Sequence, residues 1–96
     1  MKIYNQQPIE TLRSEIRLAI RLADFLFKCF GMELEVTWTT GGNHKEGSLH
    51  PKRRAFDCLK LGEKQESLVV GLRSILGPDY DVLVEADHLH IEWDPK

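Results

Sequence analysis

Tyr80-Asp81-Val82-Leu83-Val84-Glu85-Ala86-Asp87-His88-Leu89-His90-Ile91-Glu92-Trp93 is the stretch whose reading decides the fold. Tyr80 to Glu85 reads as an apolar strand, Glu85-Ala86-Asp87 as the turn region, and His88 to Trp93 as the returning strand. Successive side chains of a strand point to opposite faces. Leu89, Ile91 and Trp93 therefore share one face, and His88, His90 and Glu92 share the other.

Upstream of this hairpin, Glu63 to Leu76 has helical periodicity, with Leu68, Leu72, Ile75 and Leu76 on one face and Gly77-Pro78 as a stop. Residues 54–60, RAFDCLK, fit a short strand with Phe56 and Cys58 opposite Asp57 and Leu59. The glycine-rich, polar run from Thr39 to Ser48 reads as a loop, and Leu34, Val36 and Trp38 alternate with Glu33, Glu35 and Thr37 as a half-buried strand. Residues 8–30 read as one long helix opened by Pro8 and closed by Gly31, with Ile9, Leu12, Ile16, Ile20, Ala23, Phe27 and Phe30 forming the apolar stripe. The order α-β-loop-β-α-β-β predicts an α+β domain: a small, mainly antiparallel sheet with two helices covering one face.

Ninety-six residues make one domain, 1–96, with room for one modest core. Hydrophobic residues at 42% are too many for a disordered chain. A net charge of -2 argues against general attraction to nucleic acid or to an anionic membrane, and the cations Lys52, Arg53, Arg54 and Lys60 read as a solvated rim. No apolar run reaches the eighteen residues a membrane helix needs, and the amino-terminal stretch MKIYNQQPIETLRSEIR lacks the features of a secretory signal. A cytoplasmic location as encoded and a monomeric state are the expectations. Cys29 and Cys58 read as free, buried thiols.

These exclusions turn attention to a local site. All four histidines fall in two clusters: His44 and His50, with Asp57 seven residues beyond His50, and Asp87, His88 and His90. Taken singly, each residue has a structural explanation, as a loop histidine or as the wet face of an edge strand. Together, imidazole and carboxylate side chains are the donors that suit zinc, and three protein ligands leave a fourth position for water.

The run Ser48-Leu49-His50-Pro51-Lys52-Arg53-Arg54-Ala55-Phe56-Asp57 resembles the S-x-H-x-x-G-x-A-x-D signature of the zinc D-Ala-D-Ala carboxypeptidases. That family includes phage endolysins that cut peptidoglycan stem peptides, and it shares its core with the Hedgehog signalling domain. Asp87-His88-Leu89-His90 is similar to the family's second signature, an acidic residue shortly before a ligand histidine. The loop Gly41-Gly42-Asn43-His44-Lys45-Glu46-Gly47-Ser48 resembles the one preceding the first motif in short phage-type members. The resemblance covers about Leu34 to Asp94.

It implies one zinc ion on the sheet face, held by His50, Asp57 and His90. Asp87 would activate a zinc-bound water, and His88 would hydrogen-bond the substrate or the developing oxyanion. His44, Lys45, Ser48 and Arg53 are the implied substrate-side residues. Glu85-Ala86-Asp87-His88 also satisfies the acid-x-x-His spacing, which leaves Glu85 as an alternative base with His88 as ligand. Two departures bear on turnover more than on the ligands. Arg53 stands at the signature glycine, and no arginine lies upstream in Thr37–Asn43. Lys45, Arg53 or Arg54 would have to substitute, and a flexible ammonium clamps an oxyanion less well than a guanidinium fork.

The implied function is zinc-dependent cleavage of a peptidoglycan stem peptide by a phage-type enzyme, released to the cell wall by a separate pore. The alternative is a zinc-stabilised interaction or phage-particle domain that has lost turnover.

Overall fold

The structure is a computed structural model, and it describes residues 1–3, 12–38, 55–59, 62 and 65–95, with Trp38 described for its backbone only. The elements are β1 (Lys2–Ile3), α1 (Ser14–Cys29), β2 (Glu35–Trp38), β3 (Ala55–Leu59), α2 (Gln65–Leu76), β4 (Tyr80–Val84) and β5 (His88–Trp93). They make an α+β fold with two helices and one five-stranded sheet, in the order β1-β2-β3-β5-β4. The sheet is mixed. β1 runs parallel to β2, and every other pairing is antiparallel.

The hairpin forms in the expected register, Val84 opposite Leu89 and Tyr80 opposite Trp93, and the Glu85 N–H donates to the His88 carbonyl at 2.9 Å to close its turn. Period 2 then segregates the sheet. Phe56, Cys58, Val82, Leu89 and Ile91 lie in one buried cluster with Ile16, Ala19, Ile20, Ala23 and Phe27 of α1 and with Leu68, Val69 and Leu72 of α2. Both helices thus cover the apolar face. Tyr80 ties the amino-terminal end of α1 to β4 by donating its hydroxyl to the Glu15 carbonyl at 2.7 Å, and the Arg13 guanidinium lies 5.5 Å from the Trp93 ring centre.

Four expectations need correction. β1 has no counterpart in the sequence pattern; its pairing with β2, and the Lys2 N–H donated to the Leu34 carbonyl, rest on a two-residue strand too short to carry a periodic signal. α1 begins at Ser14, not residue 8: Arg13 has extended dihedrals (φ -62°, ψ 151°), and Leu12 reaches the core from the non-helical chain before the helix. On α2, Val69 joins the core, whereas Ile75 is partly exposed. Cys58 is buried and Cys29 is exposed; both are free. Burial pushes the Cys58 thiol up to about 12, helped by the charge of Asp57, which keeps it protonated at neutral pH in the metal-free protein.

Gly77 ends α2 in the left-handed region (φ 84°), its N–H donating to the Arg73 carbonyl at 3.1 Å. A methyl there would meet nothing within 4 Å among the described residues. Gly77→Ala therefore isolates the backbone cost and lowers stability by about 1–2 kcal/mol. The check is a fall in urea midpoint with an unchanged slope. No helix among the described residues is long and apolar enough to cross a membrane.

Candidate metal centre on the polar sheet face

The face of the sheet turned away from the helices carries the polar residues. Antiparallel pairing of β3 with β5 sets Leu59 opposite His88, Asp57 opposite His90 and Ala55 opposite Glu92. A residue thirty-three positions away in the chain thereby becomes a direct cross-strand neighbour of His90. The His90 Nδ1–H donates to Asp57 Oδ1 at 2.8 Å. On the other side of the ring, Nε2–H donates to Glu92 Oε1 at 2.9 Å.

His88 lies one step along the same face. Its Nδ1 is 2.6 Å from Asp87 Oδ1, and its Nε2 is 3.6 Å from Asp57 Oδ2. Burial falls off outward along this chain of contacts. Asp57 is 4% exposed and His90 9%, whereas the Asp87 side chain is 88% exposed. A deep pair of donors is thus flanked by an open acid–imidazole pair.

Next to Asp57 the β2–β3 register slips: Val36 opposes Cys58 and Trp38 opposes Asp57, so β2 spends one more residue than β3. Bulges of this kind re-aim side chains and recur beside active sites. Ala55 is fully buried although it lies on the polar face.

The electrostatics follow from the contacts. Burial pulls the pKa of His90 down and is the largest single influence, but the hydrogen bond and charge of Asp57, joined by those of Glu92, outweigh it and raise the value. The two carboxylate neighbours thus favour the protonated ring in the metal-free protein, the form in which both ring nitrogens donate. In that state His90 stabilises the fold fully below about pH 6.5, its value in an unfolded chain, and the contribution is lost as pH rises through the raised folded value. The His88 hydrogen bond, then its charge, lowers Asp87, which keeps that carboxylate ionised and makes it a weaker base than a free one.

Asp57 and His90 fit a zinc ion by donor chemistry. A tetrahedral site with bonds of about 2.0–2.2 Å needs ligand atoms about 3.3–3.6 Å apart, so the 2.8 Å Asp57–His90 contact would have to open by about 0.5–0.8 Å. A metal entering there displaces the His90 proton. Zinc affinity is accordingly expected to weaken about tenfold per pH unit below the His90 pKa, as measured by competition titration against a chelator across pH 5–8.

Among the sequence-derived site residues, the structure brings Asp57, His88 and His90 together, with Asp87 attached through His88. Glu85 closes the hairpin turn through its backbone. His44, Lys45, Ser48, His50 and Arg53 lie outside the described residues.

Two features lie outside the sequence-derived site. Glu92 contacts His90 directly; its place was readable from the period-2 face, but its role was not. Asp81, Glu92 and Asp94 bring carboxylate oxygens within 4.8 Å of one another, an arrangement created by the Asp81–Glu92 cross-strand pairing. A groove of about 640 Å3 between α2 and β4 includes none of Asp57, Asp87, His88, His90 or Glu92 among its lining residues. Comparison with protein-family models, curated proteins and solved structures found no match for this chain.

Proposed function

We propose that the protein is a zinc-dependent peptidase acting on peptidoglycan stem peptides, with His50, Asp57 and His90 as the metal ligands. The single observation that carries this reading is the buried Asp57–His90 cross-strand contact, which joins one residue from each of the two motifs. His90 is favoured over His88 as ligand because it meets Asp57 at 2.8 Å, whereas His88 stands at 3.6 Å from the same carboxylate. Zinc bound there supplies a water of lowered pKa and polarises the substrate carbonyl.

The remaining steps belong to the chain. Asp87 takes the proton of the attacking water as oxygen adds to the peptide carbonyl carbon. It hands that proton to the leaving amine as the C–N bond breaks. His88, held by Asp87 through Nδ1, turns Nε2 towards the site, where it hydrogen-bonds the substrate. Glu85 remains the alternative base. The peptide product and the free amine together account for one water consumed.

A specific observation favours a second reading. Both nitrogens of His90 already have carboxylate partners, as in a network that only stabilises a domain. In that case the chain is a zinc-stabilised interaction or phage-particle domain without turnover. Purified protein incubated with zinc and then with peptidoglycan separates the two. One zinc per chain and release of stem-peptide fragments, seen by mass spectrometry, support the peptidase. Zinc uptake without fragments supports the interaction domain.

A further inference from the structure

We propose that Glu92 is the positioning residue of the metal centre: by holding Nε2–H of His90 it selects the tautomer that presents Nδ1, the nitrogen beside Asp57, to the ion. This rests on the reading of His90 and Asp57 as ligands and adds to it which atom of His90 binds and what keeps it there.

An imidazole offers a metal one nitrogen at a time, and the hydrogen bond made by the other nitrogen decides which. Here the two nitrogens have different neighbours. Nδ1 faces Asp57 Oδ1 at 2.8 Å, and Nε2 faces Glu92 Oε1 at 2.9 Å. An ion shared with Asp57 has to lie on the Nδ1 side. The Nε2 proton then stays on the ring, donated to Glu92.

Glu92 is well placed to hold it. It sits two residues along β5, on the same face, opposite Ala55, and its side chain is only 17% exposed. Carboxylates in this relation to a ligand histidine orient the ring and strengthen it as a donor, and losing one costs about 10–100-fold in metal affinity. The acidic group Asp81, Glu92 and Asp94 accordingly reads as the surroundings of this supporting carboxylate.

The test uses the full chain. Zinc affinity is measured by competition titration for the wild type, Glu92→Ala and Glu92→Gln, with circular dichroism of each metal-free protein as the control for folding. Glu92→Ala is expected to bind zinc about 10–100-fold more weakly. Glu92→Gln, whose amide oxygen still accepts from Nε2–H, is expected to recover most of that loss. Long-range 15N spectra of the zinc-loaded wild type are expected to show His90 protonated at Nε2 and metallated at Nδ1.

Equal affinity in Glu92→Ala, or metallation at Nε2, overturns the assignment while leaving the peptidase reading intact if the wild type still binds zinc and cleaves. Equal loss in the alanine and glutamine variants also overturns it, because a metal-bound or purely electrostatic carboxylate would behave that way. Absence of zinc binding by the wild type removes both this assignment and the reading beneath it.

Discussion

Asp57→Ala is expected to lose zinc and stability together. Asp57 supplies one proposed ligand atom, so zinc affinity should fall by more than the roughly 100-fold that loss of an outer partner can cost. In the metal-free protein the same change removes the nearer carboxylate from the buried His90 ring. A buried charge stripped of its partner costs about 3–5 kcal/mol when it has no escape, but His90 can shed its proton and keep Glu92 as acceptor. The loss should therefore stand nearer the value of a single charged hydrogen bond, about 2–3 kcal/mol. Urea unfolding without metal and chelator competition measure the two effects separately. Asp57→Asn divides them: its amide oxygen can still accept from Nδ1–H, so much of the stability returns while the anionic ligand does not.

Asp87→Asn should behave in the opposite way. The Asp87 side chain is almost wholly exposed and touches the cluster only through His88, so neither the urea midpoint nor zinc affinity should change appreciably. Turnover should fall by about 10²–10⁴, the usual contribution of a positioned proton acceptor, because asparagine cannot take the proton of the attacking water. Rates of fragment release from peptidoglycan, measured at saturating zinc, give the comparison. Should Glu85→Gln produce this loss while Asp87→Asn does not, the base is Glu85.

The parts of this fold that were legible are those with a local period. Alternation in His88–Trp93 placed Leu89, Ile91 and Trp93 opposite His88, His90 and Glu92, and pairing with β3 and β4 retains that division. Helical spacing in α2 identified Leu68, Leu72 and Leu76 as core. What escaped depended on contacts remote in sequence or on segments with no period. Lys2 and Ile3 become a strand only because β2 offers an edge. Leu12 fits the helical stripe of α1 and is buried, yet reaches the core from the bend that precedes the helix, so its spacing conceals the true start of the helix. Val69 replaces Ile75 on the inner face because both flank the apolar stripe and packing against α1 and the sheet decides between them.

The candidate site divides along the same line. That Asp57 and His90 belong to one polar face could be read from two strand patterns. That they stand directly opposite could not, since the register between strands thirty-three residues apart depends on how the whole sheet assembles. Glu92 was visible as a same-face residue, but its contact with Nε2 depends on a side-chain rotamer, which spacing leaves undetermined.

The central claim is that one metal ion sits between Asp57 and His90. Crystals of the zinc-soaked protein, measured on both sides of the zinc absorption edge, test it most directly. The account predicts one anomalous peak bridging Asp57 and the Nδ1 side of His90, with His50 as a further ligand. A peak among Asp81, Glu92 and Asp94 instead, or no peak while the protein is folded, would contradict it.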